Sequence, residues 1–209
     1  KKLKDLYNKD QNFNAELSID NLENLTRFLD DNIFLIEKLV GCFIKNITLI
    51  IENDKNFNID IGFKEKTYEK SVYKKNLENN LIEIKDLFKE NYQNQTIVHM
   101  LISSYIVNGI RHPSYVIDGD YDHLCVETKF ISIQNELIDS FDKLLEKYQI
   151  KVSRYMCGTY INNFLTENTP ELSSMAYKLK NGLNDNEVIL IPKNIENKGF
   201  FEKFFQLFS

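Results

Sequence analysis

The sequence predicts an α+β protein with small mixed sheets and packed helices. Segments whose apolar residues recur every three or four positions alternate with short β-like runs, in the order strand, helix, strand, strand, helix, which is typical of an α+β domain. The chain has 209 residues, of which 43% are hydrophobic and 27% are charged. That length and that balance suffice for a buried core and exclude wholesale disorder.

The amino-terminal half begins with an amphipathic helix, which a capping box at Asp20 and Glu23 starts and Gly41 ends. Its apolar stripe is Leu22, Leu25, Leu29, Ile33, Ile36 and Val40. Two β-like runs, 44–51 and 57–63, are separated by a polar turn and predict a hairpin. A second helix is expected to carry the stripe Leu77, Leu81, Ile84 and Phe88.

The second half predicts two strands, a helix and a further strand. Residues 96–107 are typical of a strand buried on both faces, and residues 123–133 alternate as a half-buried strand does. Apolar residues between 137 and 148 indicate a third helix. A short strand at 152–156 and a helix start at Gly158 follow.

Four segments are expected along the chain. Residues 1–17 form a polar lead-in, and residues 18–165 form the α+β region. Residues 166–198 form a linker with a short helix and a short strand, because the apolar pattern loosens around Pro170. Residues 199–209 form a separate amphipathic helix.

Charge and cysteine content narrow the class of protein. The net charge of −5 opposes binding to nucleic acid, which needs a concentrated basic surface. Three cysteines, odd in number and far apart, predict reduced thiols in a cytosolic protein. Because no apolar run reaches about 18 residues and no hydrophobic segment follows the Lys-rich start, we expect neither a spanning helix nor a secretory signal.

Two motifs resemble known sites but lack their defining residues. The acidic turn at 118–122 spaces its carboxylates as a calcium-binding EF-hand does, but His123 and Lys129 stand where that loop needs Gly and Glu. Asp60 and Gly62 follow an apolar strand as in a phosphate-binding turn, but the bulky residues after them would keep backbone amides away from phosphate. We expect a solvated turn and an ordinary alternating strand.

The histidines and cysteines indicate no active site. His99, His112 and His123 are not spaced as metal ligands, so they are predicted to be hydrogen-bonded structural residues. Cys157 precedes a glycine turn, but no base can be assigned to it, so we expect a buried structural thiol. The prediction is a protein that is not an enzyme, with no catalytic residue, no cofactor and no metal.

The last ten residues are the most distinctive segment. They hold five of the fifteen Phe residues, and at 100° per residue their apolar side chains fall in an arc of about 160°. Such a helix can lie in a membrane interface, or it can dock on its own domain or on a second subunit, and burial energy does not separate these alternatives. The candidate contact residues are Phe200, Phe201, Phe204, Phe205, Leu207 and Phe208.

Four segments follow, in order, the pattern of one protein family. They are ELSIDNLENLTRFLDDNIFLIEKLVGCFIKNITLII, QTIVHMLISSYIVNGIRHPSYVIDG, HLCVETKFISIQNELIDSFDKLLEKYQIKVSRYMCGTYINNFLTE and GFFEKFFQLFS. In that order, the first is similar to a helix that begins with acidic residues and leads into a strand, and the second to a segment of the pattern "vLHviP…gi.nPvG". The third is similar to a strand–helix–strand run, and the fourth to a terminal membrane-targeting helix. Through these segments the chain resembles FtsA, the actin-like membrane tether of the bacterial division ring, over residues 16–170 and again at the tail.

The resemblance implies a shortened relative without the nucleotide-binding loops. The family's loop DIGGGTTD is expected near residue 165 and is not in the sequence, so we expect no bound nucleotide. The resemblance also implies an amino-terminal actin-like subdomain with the family's inserted subdomain at about residues 60–155. In the family, that inserted subdomain mediates self-association and contacts to later division proteins.

Function follows from the resemblance as an expectation. It implies a non-catalytic division scaffold that is cytoplasmic and peripheral on the inner membrane. Its partners would be other cell-division proteins or a second copy of itself, and the membrane would be contacted through the terminal helix. The alternative is a soluble interaction domain whose terminal helix packs in its own core or in a homodimer.

Overall fold

The computed structural model describes residues 7–9, 22–52, 56–66, 73–115, 122–167 and 171–189. Within these ranges it confirms the predicted α+β class, with five helices and two sheets. The chain divides into two compact units. Unit 1 consists of residues 1–55 and 133–176, and unit 2 consists of residues 56–132 and 177–209.

Apart from the short strand β4, which the sequence does not predict, the elements follow the predicted order with bounds that differ by a few residues. They are α1 (Leu22–Val40), β1 (Asn46–Ile51), β2 (Phe57–Lys66), α2 (Tyr73–Asn91), β3 (Gln95–Val107), β4 (Ile110–His112), β5 (His123–Gln134), α3 (Asn135–Glu146), β6 (Lys151–Cys157), α4 (Gly158–Asn162) and α5 (Leu172–Lys180). Gly41 has φ +78°, a left-handed conformation that ends α1 as expected.

Unit 1 contains a two-stranded parallel sheet and the helices α1 and α3. In the sheet β1 pairs with β6, from Asn46 opposite Lys151 to Ile51 opposite Cys157. The apolar stripe of α1 packs on the end of α3 and the start of β6, because those surfaces bury one another from water. This core contains Leu144, Leu145 and Ile150, with Leu22, Leu25, Leu29, Ile33, Ile44, Ile47, Tyr148 and Val152 packed around them.

Polar contacts fix α1 inside unit 1. Asn32 is buried, its side-chain oxygen accepts hydrogen bonds from the Tyr7 hydroxyl at 2.8 Å and the Lys9 ammonium at 2.9 Å, and its amide donates to the Phe28 carbonyl. The segment 7–9 therefore lies against α1, although the sequence predicts only an unstructured lead-in there.

Unit 2 contains a four-stranded antiparallel sheet in the order β2-β5-β3-β4, covered on its inner face by α2. The predicted α2 stripe is confirmed, since all four of its residues are buried in this core. Only the centre of β3 is buried on both faces as predicted, since His99, Met100, Ser104 and Tyr105 are buried while the ends of the strand are half-buried or exposed; Tyr105 is fully inaccessible. The segment 186–188 lies along the same strand, because the Val188 amide donates to the Met100 carbonyl at 2.8 Å.

The predicted hairpin between residues 44–51 and 57–63 is wrong. Both segments are strands, but β1 pairs in parallel with β6 and β2 pairs antiparallel with β5. The two strands also belong to different units. The polar residues between the two apolar runs therefore mark the point in the sequence where unit 1 gives way to unit 2.

Candidate functional site

The six apolar residues that the sequence predicts as contacts lie outside the described residues. These are Phe200, Phe201, Phe204, Phe205, Leu207 and Phe208. The acidic turn at 118–121 also lies outside them. Two other surfaces carry the candidate contacts: the outer face of the sheet in unit 2 and the outer face of α1 in unit 1.

The outer face of the unit 2 sheet is polar because its strands alternate. Along β2 every second residue is exposed, so Asp60, Gly62 and Lys64 point away from the core. Their neighbours on β5 are Lys129, Glu127 and Cys125 in the antiparallel register. Asp60 and Gly62 are thus part of a paired strand, as the sequence predicts, and not of a phosphate-binding turn.

An open groove of about 730 Å³ runs over this face. Its charged side chains carry both signs, and Gly62 leaves space between them, since an added β-carbon would come no nearer than 3.6 Å to the Val126 carbonyl oxygen. Carboxylates beside lysines disfavour a bound phosphate and suit a partner surface that carries both charges. The charged groove residues are Asp60, Lys64, Glu127 and Lys129.

One ion pair joins three strands at the edge of the groove. The guanidinium of Arg111 on β4 contacts both carboxylate oxygens of Glu127 on β5, with Nη2 2.8 Å from Oε1. The Ser104 hydroxyl on β3 donates to Glu127 Oε2 at 2.8 Å. These hydrogen bonds, first from Arg111 and then from Ser104, lower the pKa of Glu127, and the bond to Glu127 raises the pKa of Arg111. Because the pair is exposed, it orients Arg111 more than it stabilises the fold.

His99 is a buried structural residue, as predicted. Its Nδ1 lies 2.7 Å from the Glu187 Oε1, and both side chains are almost fully buried in unit 2. The contact joins β3 to the segment that lies along it. A buried carboxylate of this kind needs such a partner, so the pair serves packing and is closed to a ligand.

The turn at Cys157 is a packing feature of unit 1. Cys157 is buried, which confirms the predicted structural thiol, whereas Cys42 is exposed and Cys125 is half-buried. Gly158 follows at the carboxyl end of β6, and the Glu52 carboxylate accepts a hydrogen bond from Asn162 there. Glu52 packs against this turn, since a β-carbon added at Gly158 would lie 2.9 Å from the Glu52 β-carbon.

The outer face of α1 carries several exposed apolar side chains. Phe34 is 71% exposed and Leu35 is 47% exposed, and Phe43 just after the helix is 78% exposed. Val40, which the sequence places in the core stripe, is itself exposed. The signal was present in the run IFLIEKLV at 33–40, which is apolar on more than one side of the helix. Exposed apolar patches of this kind mark contact surfaces.

Neither a metal centre nor a membrane span is found among the described residues. In those ranges no three His, Cys, Asp or Glu side chains are grouped to hold a metal ion. Across the same ranges, no helix combines the length and apolarity needed to cross a bilayer.

Comparison with known proteins adds no relative. The chain matches no protein-family model and no curated protein.

Proposed function

We propose that the chain is a non-catalytic, FtsA-related division scaffold. It binds division proteins or a second copy of itself through its α+β units, and it binds the cytoplasmic face of the inner membrane through residues 199–208. The observation that carries the proposal is the inserted position of unit 2. Residues 56–132 supply the sheet and most of the core of unit 2, and residues 1–55 and 133–176, on either side of them in sequence, combine into unit 1; residues 177–209 also belong to unit 2. The FtsA resemblance implies an interaction subdomain inserted at about residues 60–155, which overlaps unit 2 over residues 60–132.

The groove on the outer sheet face supports a binding role for unit 2. Its charges sit on paired strands, and the Arg111–Glu127 ion pair fixes one edge of it. Charges of both signs in fixed positions give selectivity for a partner with the complementary pattern. This arrangement suits a scaffold that must choose among several proteins at one assembly.

In this proposal each chain binds the membrane weakly, and stable attachment comes from several chains binding together. A single short amphipathic helix gives reversible binding, so stable attachment needs a second signal. Self-association supplies that signal, because two linked helices bind one membrane with a raised effective concentration. Stable attachment therefore needs both the tail, which contacts the membrane, and the folded units, which self-associate.

Co-sedimentation with vesicles tests the membrane part. The intact chain is compared with a chain ending at Lys198 and with the full-length variant Phe201→Asp/Phe205→Asp, using anionic and neutral lipid. Gln206→Ala, on the polar side of the same helix, is the matched control. We expect the intact chain and the control to pellet while the other two stay in the supernatant. If the intact chain stays in the supernatant with both lipids, membrane binding is wrong.

A second candidate function is a soluble interaction domain. The exposed apolar face of α1 favours it, because that face offers a protein contact that needs no lipid. It predicts that the intact chain self-associates without pelleting with vesicles. The two functions are separated by the same co-sedimentation experiment.

A further inference from the structure

We infer that the outer face of α1 is a homodimer surface, on which a second copy of the chain packs its own α1 in the antiparallel direction. The inference deepens the self-association in the proposed function and rests on that part of it. It does not depend on the membrane: sedimentation without lipid tests the dimer, whereas the tail variants in the vesicle experiment test membrane binding.

The face is a single stripe on α1. At 100° per residue, Asp31, Phe34, Leu35 and Lys38 fall within an arc of about 100°, opposite the stripe that packs in the unit 1 core. All four side chains are exposed. The stripe thus has an apolar centre with Asp31 toward the start of the helix and Lys38 toward its end, and Arg27, one turn before Asp31, is exposed within the same arc.

That pattern is complementary to itself under a two-fold axis. An antiparallel pair with its axis between Phe34 and Leu35 places Phe34 opposite the partner copy's Leu35, and Asp31 opposite the partner copy's Lys38. Each ion pair then lies roughly 5 Å along the helix from the axis, at a rise of about 1.5 Å per residue. This is an isologous interface in which both copies use the same patch. A parallel pair would instead oppose like charges.

Charge also argues for a second copy over an anionic membrane as the occupant. Along α1 four acidic residues stand against two basic ones, and the exposed charges are Glu23, Arg27, Asp30, Asp31 and Lys38. Anionic headgroups favour a basic helix face, so this helix does not suit them. A copy of the same helix supplies both a base for Asp31 and an acid for Lys38.

Exchanging the charges of Asp31 and Lys38 in the intact chain tests whether this surface forms the dimer. Sedimentation equilibrium gives the dimer dissociation constant for the natural chain, for Asp31→Lys, for Lys38→Asp, and for the double variant. Each single variant opposes like charges twice in the dimer, and we expect about ten-fold weaker association. The double variant restores both ion pairs with their signs exchanged, and we expect association close to that of the natural chain.

Two further variants separate this surface from others. Phe34→Ser removes the apolar centre and should abolish the dimer, while Leu87→Ser, an exposed apolar change on α2 in unit 2, should leave it unchanged. Circular dichroism establishes that each variant is folded. The inference is overturned if the natural chain is monomeric at all concentrations, if the single charge variants associate as it does, or if the double variant fails to restore association.

Discussion

Gly158 lies so close to Glu52 that an added β-carbon would be 2.9 Å from the Glu52 β-carbon. The two residues meet at the carboxyl ends of the paired strands β1 and β6. The backbone therefore approaches at a distance that only glycine allows, and this contact sets the path from β6 into α4.

Gly158→Ala is expected to destabilise the protein by about 1–3 kcal/mol, because overpacking against a β-carbon and backbone forces a shift. Urea unfolding followed by circular dichroism measures the loss. Gly62→Ala is the matched control, since its added β-carbon meets only ordinary contacts beginning at 3.6 Å. Equal effects at the two glycines would contradict the packing described at Glu52.

Asn32→Ala is expected to cost about 1–3 kcal/mol. The change removes the acceptor of both Tyr7 and Lys9 and leaves a buried space in α1. Tyr7→Phe removes only one of these hydrogen bonds and should cost about 0.5–1.5 kcal/mol. Thermal or urea unfolding compares the two variants, and a loss in Asn32→Ala no larger than in Tyr7→Phe would show that residues 7–9 do not hold this contact.

Glu127→Gln should change how stability responds to acid. The pKa of Glu127 is lowered in the folded protein by Arg111 and Ser104, so its contribution is present above the unfolded pKa of about 4.3 and is lost as pH falls through the folded value. The natural chain should exceed the variant in stability at pH 6–7, and the difference should vanish in strong acid. Urea midpoints between pH 3 and pH 7 measure this, with Glu90→Gln on α2 as control. A pH-independent difference would contradict the ion pair.

Tyr148→Phe should remove part of the loss of stability that the natural chain shows at alkaline pH. The Tyr148 hydroxyl donates to Asp30 at 2.7 Å, and burial, followed by that carboxylate, raises its pKa to about 12. Since the folded pKa exceeds the unfolded value of about 10, the contribution is complete below pH 10 and falls as pH rises toward 12. The variant should lose about 0.5–1.5 kcal/mol at neutral pH.

Urea unfolding at pH 7 and at pH 10.5–11 measures the alkaline effect, with Tyr177→Phe as the control for a more exposed tyrosine. The gap between the natural chain and Tyr148→Phe should narrow at the higher pH. A constant gap would show that the Tyr148 proton is not held by Asp30.

The sequence predicts the elements because each has a local period. The α2 stripe repeats every three or four residues, and β2 alternates at every second residue, so both are read correctly from the chain alone. Pairing between strands has no such local signal. The partner of β1 lies about a hundred residues away, which is why the predicted hairpin fails.

The candidate surfaces are predictable only in part. Exposure of Val40 depends on where α3 and β6 end beneath α1, and the helical period alone cannot supply that. The pairing of Arg111 with Glu127 depends on the register of three strands. The tail contacts from Phe200 to Phe208 stay a prediction, because they follow from residue spacing and from the FtsA resemblance.

The measurement that tests the account most directly joins its two parts, the tail and the α1 face. Binding to vesicles of neutral lipid, which the exchanged charges do not attract, is titrated for the natural chain, Asp31→Lys, and Asp31→Lys/Lys38→Asp, all with the tail intact. Since two tails on one dimer bind cooperatively, we predict at least about ten-fold weaker vesicle binding for the single variant and recovery in the double variant. Equal vesicle binding by all three chains would contradict the claim that self-association through α1 strengthens membrane binding by the tail.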